Sequence, residues 1–249
     1  MLDTEFVNGL LSFLQASPTQ FHAVGEMAQQ LDAAGFQRLR EADAWSLQSK
    51  GKYYVTRNDA SIVAFVLNRP LPDNGFRMVG AHTDSPCLKV KPNPEIINNS
   101  YLQLGVEIYG GALLNPWFDR DLSLAGKVSF LDDKGAIQQA LIDFEKAVAV
   151  IPSLAIHLDR EANKKRCINA QKHMPPVLMK LPAGKDDKAD FRKILLSLVQ
   201  AQHPSMAAAS VLDYELSFYD AQAPAVIGLH DDFIASARLD NLLSCYTGL

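Results

Sequence analysis

The chain of 249 residues lacks any arrangement of cysteines that could staple or clip it. Its three cysteines, Cys87, Cys167 and Cys245, are odd in number and far apart, which excludes a disulfide framework and a Cys-x-x-Cys zinc clip. A basic leader is missing too: the first Lys or Arg is Arg38, and Asp3, Glu5, Glu26 and Asp32 come before it. No apolar run approaches the ~20 residues that a membrane-spanning helix needs. Net charge is −4, and Lys164-Lys165-Arg166 is the one tight basic run, short enough to read as a solvated loop. These absences argue against nucleic-acid and membrane partners and lead to the expectation of a cytoplasmic protein in a reducing compartment. Absent as well are a Gly-x-Ser-x-Gly elbow, a phosphate-cradling glycine loop, a His-Glu-x-x-His helix, internal repeats and low-complexity tracts.

What is present is ample apolar material, 48% of residues, enough for one large domain or two ordinary ones. Phe6, Leu10, Phe13 and Leu14 recur at helical spacing over residues 3–16, and Ser17-Pro18-Thr19 stops that helix. Thr19 is placed to cap a second helix carrying Phe21, Val24, Met27 and Leu31, which ends near Gly35. The period then changes. Gly51–Arg57 and Ser61–Leu67 read as strands joined by a turn at Asn58-Asp59-Ala60, and Phe76–Ala81 reads as a strand running into His82. Two prolines in Lys91-Pro92-Asn93-Pro94 read as a break. Beyond it come short strands at Tyr101–Tyr109, Gly126–Leu131, Ile137–Phe144 and Ala147–Ile151, with a hairpin turn at Asp132-Asp133-Lys134-Gly135. One amphipathic helix bears Phe191, Ile194, Leu195 and Leu198, and a strand alternates Leu212, Tyr214, Leu216 and Phe218 with Asp213, Glu215 and Ser217. The chain is expected to turn helical again from Asp231. The pattern predicts a first domain at 1–90 plus 233–249, of α/β or α+β type, interrupted by a β-rich domain at 91–232. Asp240 to Cys245 reads as a helix start without a C-cap, so the chain is expected to be truncated.

The sharpest local feature is Gly80-Ala81-His82-Thr83-Asp84-Ser85-Pro86. At a strand end, residues i and i+2 face the same way, so His82 and Asp84 can project together. The imidazole suits zinc, and the carboxylate can hold its other ring nitrogen; a pair that merely satisfies a strand end is the structural alternative. Asp240, in Arg238-Leu239-Asp240-Asn241-Leu242, reads either as an N-cap or as a carboxylate able to bridge two metal ions. His157 follows a stretch read as strand, and a lone histidine in such an apolar setting is more often structural than functional. His22, His173, His203 and His230 have no partner at ligand spacing, and Glu107 and Asp119-Arg120-Asp121 suit strand edges and turns as well as catalysis.

Taken together, Ser17-Pro18-Thr19 with Phe21-His22-Ala23-Val24, the His82 motif, Tyr109-Gly110-Gly111, Trp117 to Leu122, Ile156-His157-Leu158 and Arg238 to Leu242 resemble the aspartyl aminopeptidase family of dinuclear zinc metallopeptidases. The pieces occur in the family's order along nearly the whole chain. The resemblance implies an α/β peptidase domain, with helices on both faces of a mixed sheet, interrupted by a β-rich oligomerisation domain. It implies two zinc ions per subunit, with His82 a ligand of one, Asp240 the bridge and Asp84 the residue that orients His82. His157 matches a family histidine counted as a metal ligand, one that in the assembled oligomer can reach a neighbouring subunit's site. The implied reaction is hydrolysis of the first peptide bond, by preference after Asp or Glu, by zinc-activated water. The family's Glu-Glu pair, further Asp and late His do not occur in these residues, so the general base and remaining ligands are expected beyond Leu249 and the fragment alone is expected to be inactive. Two other readings stay open: another zinc amidohydrolase, such as a deacetylase or carboxypeptidase-like enzyme, and a non-catalytic β-rich assembly module.

Overall fold

The computed structural model describes residues 4–67, 75–182 and 189–249. Asp3, where the first helix was expected to begin, lies outside them. Helix α1 (Thr4–Ala16) buries Leu10, Phe13 and Leu14 as its spacing predicts, but Val7 takes the place expected of Phe6, which is 42% exposed. Helix α2 (Gln20–Ala33) buries Phe21, Ala23, Val24 and Leu31. Thr19 stands at its N-cap position but does not cap it; the hydroxyl lies 2.8 Å from His22 Nδ1 instead. At the other end Gly35 adopts φ +80°, and the Gly35 and Phe36 N–H groups return to Asp32 and Leu31, the paired bonds of a Schellman closure.

Strands β1 (Gln37–Leu39), β2 (Lys52–Arg57) and β3 (Ser61–Val66) form a small mixed sheet in that order, β1 parallel to β2 and β2 antiparallel to β3. The expected turn is there, with Asn58 and Asp59 both at positive φ. The strand expected over Phe76–Ala81 is not. Phe76, Met78 and Val79 are 61%, 87% and 82% exposed, and no described strand lies alongside. An apolar run becomes a strand only when a neighbour supplies its hydrogen-bond ladder.

From Pro86 to Gln222 the chain folds as a separate unit. Strands β4 (Cys87–Asn98), β5 (Tyr101–Tyr109), β6 (Leu122–Asp132), β7 (Ile137–Asp143), β8 (Val177–Lys180) and β9 (Ala208–Asp220) make an antiparallel sheet in the order β7-β6-β9-β4-β5-β8. Two short helices, α3 (Ala162–Lys165) and α4 (Ala170–His173), precede β8. Helix α5 (Phe191–Gln202) lays Phe191, Leu195 and Val199 into a core with Leu88, Leu104, Leu124, Phe130, Leu216 and Phe218. Asp190 caps it, accepting from the Lys193 N–H at 3.1 Å.

Three expectations for this unit need correcting. Pro92 and Pro94 do not break the chain; they sit inside β4 where its register against β5 slips between Val90 and Glu95, and a residue without N–H is tolerated there. Ala147–Ile151 is not a strand but a set of isolated bridges to Leu122, Val177 and Phe118. Leu212 leaves its expected face and is 42% exposed, because the register slip at Ser129/Phe130 sets Val211, not Leu212, opposite Phe130. Gly126 matters in the same sheet: at φ +152° its backbone passes so close to the Glu215 carbonyl that a Cβ would collide with it.

The remaining residues, Ala223–Leu249, belong with Met1–Ser85. The unit boundaries are therefore 85/86 and 222/223 rather than 90/91 and 232/233, since β4 begins ahead of the prolines and β9 ends at Asp220. Helix does not resume at Asp231. A hairpin of β10 (Ala225–Ile227) and β11 (Phe233–Ala235) comes first, and α6 (Leu239–Gly248) follows. Leu242 and Cys245 bury one face of α6 in a cluster with Leu10, Phe13, Leu14 and Ala23. Tyr246 adds ring contacts to Phe6 and Phe13, at 5.2 and 5.6 Å between centroids. Among the described residues no helix is long and apolar enough to cross a membrane.

Candidate functional site

Two chain segments of the first unit meet at His82. One is the irregular loop 75–85; the other is the start of α6, which the buried Leu242 and Cys245 hold in place. The His82 Nε2 lies 3.2 Å from Asp240 Oδ1, and its Nδ1 lies 3.0 Å from the main-chain oxygen of Asp84 and 3.4 Å from that residue's carboxylate. So the structure brings His82, Asp84 and Asp240 together. Asp84 meets the imidazole more closely through its carbonyl than through the carboxylate the sequence pointed to.

Asp240 is not the cap of α6. It has non-helical angles (φ −88°, ψ 108°), the residue at the N-cap position is Arg238 in the left-handed region, and no side chain caps the helix start. The Asp240–Asn241 peptide is cis. Arg238 is itself anchored by a bond from Nη2 to the Leu14 carbonyl at 3.1 Å.

The proton inventory of this cluster is informative. A carbonyl oxygen only accepts, so the Nδ1 facing it carries hydrogen and, in the neutral ring, Nε2 presents a lone pair. That lone pair faces a carboxylate oxygen, also an acceptor. A metal ion placed between these two acceptors would satisfy both. Nitrogen and oxygen ligands of one tetrahedral zinc, at roughly 2.0–2.2 Å from it, stand about 3.4 Å apart. The His82–Asp240 spacing fits part of such a set. It is only part: among the described residues no three His, Cys, Asp or Glu side chains converge to hold a metal ion. The side chains of His82 and Asp240 are 55% and 86% exposed, so as a bare ion pair they would contribute little.

Sequence reading missed the hydroxyls and the thiol around this pair. Ser85 Oγ donates to the Asp240 carbonyl at 3.0 Å, Cys245 Sγ donates to the His82 carbonyl at 3.3 Å, and Thr83 Oγ1 donates to the Ala60 carbonyl at 2.8 Å. Burial pushes the Cys245 thiol up from its ordinary range, which keeps it a donor. The only signal for these roles in the sequence was proximity to His82 and Asp240, which names no partner.

The other candidates resolve differently. His157 is exposed in a turn of the second unit, not at a strand end. Glu107 pairs with Lys91 at 3.0 Å. Arg120 pairs with Asp220 at 2.6 Å, and Asp119 accepts from the Ser153 N–H at 2.8 Å; the hydroxyl and N–H of Ser153 hold the Asp119 carboxyl below its usual range. Arg166, from the short basic run, lies 3.8 Å from the centre of the Phe118 ring and bonds Asn115 and Ser153. These groups brace loops. His22 is half-buried near Arg238, and desolvation first, then that cation, lowers it to about 4.

A carboxylate at the start of α6 thus faces a loop imidazole in a mixed α/β unit. The model of the Aminopeptidase I zinc metalloprotease (M18) family matches residues 13–249, and the chain belongs to that family. It is 59% identical over 246 residues to a probable M18 family aminopeptidase 2 of Pseudomonas paraeruginosa, covering 98% of this chain and 56% of that protein. To the Pseudomonas fluorescens protein of the same name it is 60% identical over 242 residues, covering 97% of this chain and 56% of that one. Among solved structures, the Ape4 and Nbr1 complex matches at 34% identity and TM-score 0.90, covering 97% of this chain and 49% of that chain. Chaetomium thermophilum mApe1 matches at 33% identity and TM-score 0.84, covering 96% and 56%. The chain thus spans about half the length of the relatives it matches.

Proposed function

We propose that the whole protein is a cytoplasmic zinc metalloaminopeptidase that removes the N-terminal residue of peptides, with preference for Asp or Glu. The observation that carries this reading is the 3.2 Å approach of His82 Nε2 to Asp240 Oδ1 while Nδ1 is committed to a carbonyl. Membership in a zinc metalloprotease family and the resemblance to aspartyl aminopeptidases support it. In this reading His82, through Nε2, and the Asp240 carboxylate would be among the groups that hold the two zinc ions. Bound zinc supplies an activated water and polarises the scissile carbonyl.

The chain's own residues do the positioning. Asp84 fixes the ring orientation and proton of His82 through Nδ1, which leaves Nε2 as the ligating atom. Asp240 contributes the negative charge that concentrates cations at the loop. A catalytic zinc is held by about three protein groups, so the other ligands and the general base come from the rest of the whole protein, and these 249 residues alone are expected to hydrolyse no peptide. His157 is assigned to the site of a neighbouring subunit in a homo-oligomer.

The test is His82→Ala in the full-length protein, with metal content and turnover measured together. Loss of about one zinc per chain and a fall in turnover of more than about 100-fold are expected, since even residues behind a ligand cost about 10–100-fold. Unchanged metal content with unchanged turnover would overturn the reading.

A further inference from the structure

The two segments that carry His82 and Asp240 are tied to each other by more than that pair. Ser85, on the loop, reaches across to the carbonyl of Asp240, 155 residues away in sequence, at 3.0 Å. Cys245, on α6, reaches back to the carbonyl of His82, 163 residues away, at 3.3 Å. The arrangement is reciprocal. Each segment lends a side-chain donor to the main-chain oxygen of the other segment's key residue. Each end of the tie has its own anchor as well: Thr83 holds the loop to the Ala60 carbonyl at 2.8 Å, and Cys245 is buried in the α1–α6 cluster.

We propose that Ser85 and Cys245 are positioning residues, which clasp the main chain of Asp240 and His82 so that the imidazole and carboxylate face each other before any metal arrives. This rests on the zinc-site reading above. The physical reason is the cost of disorder. His82 and Asp240 are largely exposed, so packing around their side chains does little to hold either in place. Two hydrogen bonds that do not involve the ligating atoms hold the geometry without competing for the metal. The loop has no strand ladder to do this, because 75–85 pairs with no described strand.

The clasp is tested in the full-length protein with Ser85→Ala, Ser85→Thr, Cys245→Ala, the Ser85→Ala/Cys245→Ala double variant and His82→Ala as the metal control. Zinc affinity is read by competition with a chromophoric chelator, and hydrogen exchange of the 240–246 backbone is read in the metal-free protein. Ser85→Ala is expected to weaken zinc about 10–100-fold and to speed exchange, and Ser85→Thr, which keeps the hydroxyl, to restore both. The double variant should lose less than the sum of the single losses, because the two bonds brace one pair. Equal effects of Ser85→Ala and Ser85→Thr, or unchanged exchange in both alanine variants, would overturn the proposal. Should Ser85→Ala fail to fold, Cys245→Ala with the same two readouts decides. If His82→Ala keeps its zinc and turnover, the site reading fails. The clasp then stands or falls on exchange alone.

Discussion

A carboxylate at the first turn of a helix ordinarily acts as its cap, and replacing it destabilises the helix. Asp240 makes no capping bond and is mostly exposed, while its oxygen faces His82. Asp240→Asn is therefore expected to shift unfolding free energy by no more than about 0.5 kcal/mol, as for other exposed sites, yet to remove bound zinc and turnover in the full-length protein. A large drop in melting temperature with activity per folded molecule intact would make Asp240 structural. His22 gives a prediction of a different kind. The folded protein holds it neutral down to about 4, against an ordinary value of 6.5. An unfolded chain takes up that proton from pH 6.5 downward, so between 6.5 and 4 the unfolded state binds more protons and stability falls as pH falls. The contribution is intact above pH 6.5, and its full loss amounts to about 3 kcal/mol. Denaturant unfolding at pH 7, 5 and 4 should show the loss in the parent and a flatter profile in His22→Gln; parallel profiles would refute it.

At the scale of elements, local signals that carry their own stereochemistry were legible. Asn58-Asp59 required positive φ, Asp132 to Gly135 closes β6 onto β7 with Asp132 accepting from the Lys134 and Ala136 N–H groups, and the stripe of α5 found its core. What was not legible depends on neighbours. Phe76–Ala81 has strand composition but no ladder, the β10–β11 hairpin is too short to show a period, and Pro92 and Pro94 read as a break although a bulge accommodates them. The site divides the same way. His82, Asp84 and Asp240 were visible as residue types at telling positions, whereas the Ser85 and Cys245 bonds exist only through tertiary contact. Gly126 belongs to this second class. Gly126→Ala would drive a Cβ into the Glu215 carbonyl on β9, and main chain cannot rotate aside as a side chain can. A loss of about 1–3 kcal/mol is expected from such overpacking, read as a lowered denaturant midpoint; an unchanged midpoint would mean that the β6–β9 pair yields freely.

For the whole molecule, the second unit leaves its sheet with two outer strands, β7 and β8, and with Ile137, Tyr101 and Met179 exposed at 69%, 43% and 40% on or beside them. Edges and apolar side chains left in this state need covering. Light scattering of the full-length protein is expected to give a homo-oligomer, and a strict monomer would remove both this expectation and the cross-subunit role assigned to His157. The sheet has one further feature: its first and last strands, β4 and β9, are neighbours, with Leu88 opposite Phe218. Residues near either end of the insertion therefore leave it side by side. On the ribosome His82 emerges roughly 8–32 s before Asp240, at about 5–20 residues per second. During that interval its loop has no partner. Once the sheet folds, the slack between the two segments shrinks from roughly 160 residues to a few tens, which cuts the entropy of joining them by about 1.5 kcal/mol. The pairing of β9 with β4 thus makes the two halves of the first unit cheaper to join.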